Sequence, residues 1–303
     1  MAHTFHTLDV FTTRRFGGNP LAVVLNADGL TTEEMQTVTR EFNLSETVFV
    51  MKPEDAAHTA RIRIFFPGGE MPFAGHPTVG TAILLAELKN KPGCSFETLI
   101  TLEENAGLVP VKVTRIADTS RAMFTAPVVP FAVDLPLPSK QTVAQALLLD
   151  PEEIGFDGHG LGLYQGGPRC FYVPVKSRAA LAGSKVIEPH WSEMIGKLDV
   201  DMAYLFTRGG DNPKTAFRSR MYAPTGGIPE DPATGAATAI LAAHLLGAEN
   251  LGPGTHKYEL EQGYEMGRPS DLHLEIDVAG TGISAVRVAG SAVRVSQGTI
   301  VIR

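Results

Sequence analysis

A chain of 303 residues, 44% hydrophobic and 19% charged, is long enough for two globular domains of ordinary composition. Its net charge of −7 and the absence of any Lys/Arg run argue against nucleic acid as a partner, because nothing offers the footprint a phosphate backbone needs. The two cysteines, Cys94 and Cys170, form no Cys-x-x-Cys pair and fit a reduced, cytoplasmic setting, and neither a secretory leader nor a membrane span is expected from the sequence.

Taken in chain order, the pattern predicts strands at Thr7 to Phe11 and Leu21 to Leu25. Thr31 and Glu34 have the spacing of a capping box, and Met35, Val38 and Phe42 continue it as an amphipathic helix. Strands at Thr47 to Met51 and Arg61 to Phe66 lead into the loop Gly75-His76-Pro77 and a helix from about Pro77 to Leu88. Strands at Ser95 to Leu99 and Val109 to Ile116 close the first half, and the Pro-rich stretch from Thr125 reads as a connector. The second half is expected to repeat the order. Strands fall at Gly162 to Tyr164 and Phe171 to Val175, a helix at Glu188 to Lys197, strands at Ala203 to Thr207 and Phe217 to Tyr222, and a last helix runs to Leu246.

Two stretches are alike: "PFAGHPTVGTAILLA" (Pro72 to Ala86) and "PEDPATGAATAILAA" (Pro229 to Ala243). Laying His76 on Asp231 also puts Pro77 on Pro232 and Gly80 on Gly235, and upstream "RIRIFFP" matches "RSRMYAP" with a second loop two residues shorter. Duplication explains this, and implies two halves of like fold with a small-molecule site in the cleft between them. On this reading Pro77 and Pro232 each begin a helix, and Gly75, Gly80 and Gly235 allow close backbone approach. Each loop would then turn N–H groups toward an anion such as a carboxylate, although a plain strand-to-helix turn explains a single loop equally well.

The stretches "DVFTTRRFGGNPLAVVL", "NLSETVFV", "FAGHPTVGTA", "EDPATGAA", "EQGYEMGRPS" and "VAGSAVRVSQGTIVI" together resemble the PhzF family, phenazine-biosynthesis-like isomerases with the diaminopimelate-epimerase fold. The resemblance covers nearly the whole chain. It implies an α+β fold of two pseudo-symmetric epimerase-like domains, each a sheet or barrel wrapped around a central helix, with the active site in the cleft between them. The expected domains are residues 1–124, to which a strand at about 287–303 returns, and residues 125–286. A homodimer is also implied, and no metal or organic cofactor.

Carried across by position, the family's acid/base glutamate falls on Glu46, and its His and Asp partners on His76 and Asp231. Glu46 opens an apolar strand, where partial burial raises a carboxylate's pKa toward that of a group able both to take and to return a proton. His76 also reads as a structural histidine, and Asp231 as a helix N-cap. Ser45 either orients Glu46 or satisfies nearby backbone. Asn19, Ser45, Gly75, Pro77, Gly235 and Ala236 complete the expected substrate-binding set, with Asn19 and Arg268 equally open to a structural role. Ala236 departs from the family, which often has serine there, and neither loop has the cysteine that epimerase relatives use. The expected activity is an isomerase moving a proton on a small carboxylate-bearing substrate, similar to isomerisation of trans-2,3-dihydro-3-hydroxyanthranilate. An amino-acid epimerase or racemase and a non-catalytic binding protein are the alternatives. His3, His6 and Asp9 are not expected to hold a metal, nor is "GHGLGLYQGG" (Gly158 to Gly167) expected to hold a dinucleotide, and Cys170 reads as a buried thiol.

Overall fold

The computed structural model describes residues 2–302. The chain divides into two compact units, one of Met1–Pro127, Arg268–Asp271 and Val288–Arg303, the other of Val128–Gly267 and Leu272–Arg287. No helix among the described residues is long and apolar enough to cross a membrane.

The first unit contains β1 (Ala2–Val10), β2 (Asn19–Val24), α1 (Thr32–Phe42), β3 (Glu46–Met51), β4 (Ala60–Phe66), β5 (Gly69–Met71), α2 (Gly75–Lys89), β6 (Phe96–Glu104), β7 (Gly107–Ile116) and β8 (Thr119–Thr125). Strand β1 pairs antiparallel with β2, β2 parallel with β3, and β3 antiparallel with β4. From there β4 pairs parallel with β6, and β6, β7 and β8 follow as antiparallel neighbours. The last strand of the chain, Gly282–Val301, pairs with both β8 and β1 and so closes a ring of eight strands.

Helix α2 explains the ring. It is buried from Gly75 through Leu84 and again at Ala86, and it touches β1, β2, β3, β6, β7 and β8. A helix apolar on every side needs a wall on every side. Burying Val79, Ile83 and Leu84 contributes roughly 1.5–3 kcal/mol each before chain entropy is counted. At Gly80 an added Cβ would stand 2.6 Å from Leu21 and 2.7 Å from Val10, so glycine lets helix and strands close up there. Helix α1 has only one apolar stripe. It lies on the outside of the ring, with its capping box formed between Thr31 and Glu34 and its Met35 and Val38 packed with Val24, Phe49 and Phe65.

The second unit contains β9 (Phe131–Ala132), α3 (Lys140–Leu147), β10 (Gly162–Gln165), β11 (Arg169–Pro174), α4 (Arg178–Gly183), α5 (His190–Leu198), β12 (Ala203–Arg208), β13 (Thr215–Ala223), β14 (Ile228–Asp231), α6 (Gly235–Ala248), β15 (Gly254–Gln262), β16 (Ser270–Ala279) and the start of β17 (Gly282–Val301). Its pairings repeat those of the first. Strand β10 is antiparallel to β11, β11 parallel to β12, β12 antiparallel to β13, and β13 parallel to β15. Helix α6 is buried like α2, while α3 and α5 pack Val143, Leu147, Trp191 and Ile195 onto Phe171, Val173 and Leu205.

The repeat is therefore real, but its register differs from the expected one. Arg63 grips Glu70 with two hydrogen bonds of 2.7 and 2.6 Å, and Arg220 grips Glu230 with two of 2.8 Å. The first pair spans seven residues and the second ten, so the second turn is three residues longer rather than two shorter. Its extra residues form a short 3₁₀ turn, Pro224–Gly226. Gly75 and Gly235 are then the matching helix starts, His76 matches Ala236, and Asp231 matches Met71 at the end of the preceding short strand. Neither proline begins a helix: Pro77 is the third residue of α2, and Pro232 precedes α6. At the third position Pro77 still costs no hydrogen bond, because the first four N–H groups of a helix have no intrahelical partner.

Several elements fall where none was expected, among them β8, α3 and α4 and the strands β5, β9, β14, β15 and β16. Strand β8 alternates buried Ser120, Ala122 and Phe124 with exposed neighbours, reached through a turn with Ala117 at φ 52°. Helices α3 and α4 are short, and each is capped by a serine, Ser139 and Ser177.

Gly18 carries a sharp test of this packing. Its φ is +63°, and an added Cβ would stand 2.3 Å from the Val10 carbonyl oxygen. Gly18→Ala is expected to destabilise the protein by about 1–3 kcal/mol, read as a lower denaturant midpoint.

Candidate active site

The glycine turn before β2 delivers the first site residue. Asp9 accepts the Phe16 N–H at 2.6 Å and Arg268 at 2.5 Å, and Arg268 also donates to the carbonyls of Gly17 and Gly18 at 2.7 and 2.8 Å. Arg268 thus ties Asp9 of β1 to the glycine turn, a structural task. The turn it holds sets Asn19, fully buried, at the head of β2.

Glu46 opens β3 opposite Leu21, and His76 is the second residue of α2. Both are buried, with 6% and 4% of their surface exposed, which takes a carboxylate and an imidazole almost wholly out of water. His76 Nε2 lies 3.0 Å from Glu46 Oε2, close enough for an ion pair but without the alignment of a full hydrogen bond. On the other side of the ring, the Asn19 amide lies 3.1 Å from His76 Nδ1. With the amide nitrogen facing the ring, as the side chain is oriented here, Asn19 donates and Nδ1 accepts. A neutral imidazole would then carry its proton on Nε2, the nitrogen nearer the carboxylate. Ser45 is half-buried beside Glu46. Gly75 and Pro77 flank His76 in the buried first turn.

Asp231, Gly235 and Ala236 belong to the second unit. Asp231 is not an N-cap. It ends β14, buried, and the Thr234 hydroxyl donates a hydrogen bond to its Oδ2. Thr234 is the N-cap residue of α6, and its side chain does not cap the helix. Helix geometry leaves the first-turn N–H groups of Gly235, Ala236 and Ala237 without intrahelical acceptors.

Gln262 sets this turn, and sequence reasoning gave it no role. Its Nε2 donates to the Asp231 carbonyl at 2.8 Å and to Thr234 Oγ1 at 3.0 Å, while its Oε1 accepts the Thr234 N–H at 3.1 Å. The signal was present in "EQGYEMGRPS", which begins one residue before it.

The two cysteines lie elsewhere. Cys94 is exposed, and Cys170 is fully buried in β11, where burial pushes its thiol up to about 12. A thiol so protonated is no nucleophile and no base near neutral pH. Among the described residues no group of three or more His, Cys, Asp or Glu converges as a metal site, and His3 instead bonds the Asn26 carbonyl.

The chain and its fold have known relatives. The family model described as "Phenazine biosynthesis-like protein", PhzC-PhzF, matches residues 8–298. An uncharacterized isomerase of Mesorhizobium japonicum is 41% identical, covering 97% of both chains. The trans-2,3-dihydro-3-hydroxyanthranilate isomerase of Pseudomonas aeruginosa is 34% identical over 98% of both. Among solved structures, a Bacillus anthracis phenazine biosynthesis protein of the PhzF family superposes with a TM-score of 0.87 at 23% identity, covering 99% of both chains. A hydroxyproline epimerase of Agrobacterium vitis shares the fold more distantly, with a TM-score of 0.64 at 14% identity over 99% of this chain and 91% of that one. This chain belongs to the phenazine biosynthesis-like family, PhzC-PhzF, with the two-domain fold of the epimerase-like proteins.

Proposed function

We propose that this chain is an isomerase that moves a proton from one carbon of a small carboxylate-bearing substrate to another, with Glu46 as the acid/base. The observation that carries this reading is the buried line Asn19–His76–Glu46. On this reading His76 Nε2, 3.0 Å from Glu46 Oε2, supports that oxygen, and Oε1 takes the substrate proton. The substrate C–H breaks, an O–H forms on Glu46, and the electron pair enters the adjacent conjugated system. The same O–H then returns its proton at a second carbon. An imidazole held beside one oxygen keeps the carboxylate in position through both steps, which is what a group acting in turn as base and acid requires.

We extend this reading to the second unit on the strength of the internal repeat and the family resemblance. Asp231 would assist the proton transfer, and the backbone N–H groups of Gly235 and Ala236 in the first turn of α6, with that of Gly75 in the first unit, would bind the substrate carboxylate, Pro77 having no N–H and shaping the turn only. At Ala236 a backbone contact needs no hydroxyl. The P. aeruginosa and Mesorhizobium relatives support the isomerase class, and trans-2,3-dihydro-3-hydroxyanthranilate is the first substrate to try. The resemblance supports a homodimer, and the cysteine pattern a cytoplasmic setting. The two-thiol chemistry of epimerase relatives has no counterpart in these loops, which favours isomerisation over epimerisation.

The test is turnover of trans-2,3-dihydro-3-hydroxyanthranilate in D₂O followed by NMR. Product formation with deuterium at a new carbon is expected from the wild type, and label only at the original carbon would indicate an epimerase instead. Glu46→Gln is expected to lower kcat by about 10²- to 10⁴-fold with an unchanged unfolding midpoint. Comparable turnover by that variant would remove Glu46 from the mechanism. Asn19→Asp is expected to lower kcat as well, because an aspartate accepts from Nδ1–H and so disfavours the neutral form that carries its proton on Nε2. Nitrogen-15 shifts of the His76 ring would report the change directly.

A further inference from the structure

Each unit carries a carboxylate that accepts two backbone N–H groups of a facing loop. Glu103 takes those of Glu54 and Asp55 at 2.7 and 2.9 Å, and Glu261 takes those of Asp211 and Asn212, both at 2.8 Å. These two glutamates are therefore counterparts. The residues that follow them, Glu104 and Gln262, are counterparts too, each buried near the start of the central helix. In the second unit that position is a neutral amide that both donates and accepts. In the first it is a carboxyl group, 7% exposed.

The hydrogen bonds around Glu104 count its proton. Thr78 Oγ1 lies 2.7 Å from the Ala74 carbonyl and 2.7 Å from Glu104 Oε1. A threonine hydroxyl has one proton, and the carbonyl has none to give. If Thr78 donated to an ionised Glu104, its oxygen would face the Ala74 oxygen at 2.7 Å with no hydrogen between them. If Thr78 donates to Ala74, the contact to Glu104 needs a proton on the carboxyl. Glu104 Oε2 is buried and has no partner among the described residues, so an ionised group would be left with half its charge unsolvated.

The charged groups of the neighbouring elements are committed elsewhere. Glu103 is bound to His58 as well as to its loop, and Arg61 to Glu54. Glu70 is held by Arg63 and Asn105, and Glu46 faces His76. Among the described residues no cation pairs with Glu104.

We propose that Glu104 is a neutral, protonated acid in the folded protein, the counterpart of Gln262, and that its O–H, through Thr78, positions the first turn of α2 that carries Gly75 and His76. Burial, opposed only by the Thr78 bond, raises this carboxyl from its ordinary 4.5 to about 8. Glu104 is thus a positioning residue with a pH limit. Above about 8 it ionises, Thr78 turns its proton toward it, and the Ala74 carbonyl loses that bond.

Carbon-13 NMR of protein labelled at the glutamate carboxyls tests the first half, with the Glu104 signal assigned by its loss in Glu104→Gln. A midpoint near about 8 is expected, and one near 4.5 would overturn the proposal. The positioning half is read on the His76 ring nitrogens, which should shift with the same midpoint in the wild type and show no such step in Glu104→Gln. Thr78→Val, which breaks the relay, should also abolish the step. A high Glu104 midpoint without any His76 response would overturn the positioning role. Stability adds a further readout. The folded form keeps the proton that the unfolded chain releases, so Glu104→Gln should gain on the wild type as pH rises from about 4.5 to about 8, with a constant difference above. None of these measurements needs a substrate, so they stand or fall apart from the proposed reaction.

Discussion

A helix that is apolar around its whole circumference can be stable in water only inside something, and α2 makes the first unit what it is. Closing eight strands around it satisfies the helix and removes the sheet's free edges at once. The same closure creates the difficulty that the site resolves. A helix inside a barrel must begin somewhere, and its first turn brings orphan N–H groups and any polar side chain there into a dry environment. His76, Thr78, Asn19, Glu46 and Glu104 are all buried polar groups gathered at or near that beginning. Contacts among them offset part of that burial.

This dependence orders the polar groups into two sets. Asn19, His76 and Glu46 form a line in which an amide bonds one nitrogen of an imidazole and the other nitrogen stands beside a carboxylate. Thr78 and Glu104 brace the turn from the other direction. The outer supports sit further away: Asp9 and Arg268 on the glycine turn, the Arg63–Glu70 pair on the β4–β5 hairpin, and Glu103 on its loop. Such layering holds a few side chains within tight tolerances, as proton transfer between fixed atoms requires.

Much of the fold was legible in the sequence because periodicity reports burial. The capping box at Thr31 and Glu34, the amphipathic α1, the strand opened by Glu46 and the likeness of the two central helices follow from pattern alone. The repeat register was misread because two loops of different length can be slid until their prolines coincide, and a proline match says nothing about hydrogen bonding. The pairs Arg63–Glu70 and Arg220–Glu230 were the better guide, since a bidentate ion pair fixes distance as well as identity. Strand β8 went unread although Ser120, Ala122 and Phe124 alternate cleanly, because the preceding turn has no glycine or proline and Ala117 adopts the left-handed region itself. Glu104 and Gln262 were passed over for another reason. Their importance lies in a proton count that only coordinates reveal, although "LEE" at Leu102 to Glu104 and "LEQ" at Leu260 to Gln262 mark the correspondence.

The central claim is that one shielded carboxyl, Glu46, both removes and returns the proton. A single-turnover experiment with substrate deuterated at the donor carbon, run in ordinary water, tests it most directly. A single buried acid/base predicts that a measurable fraction of the deuterium reappears at the acceptor carbon of the same molecule. Complete replacement of the label by solvent hydrogen, at every substrate concentration and from the first turnover, would contradict it.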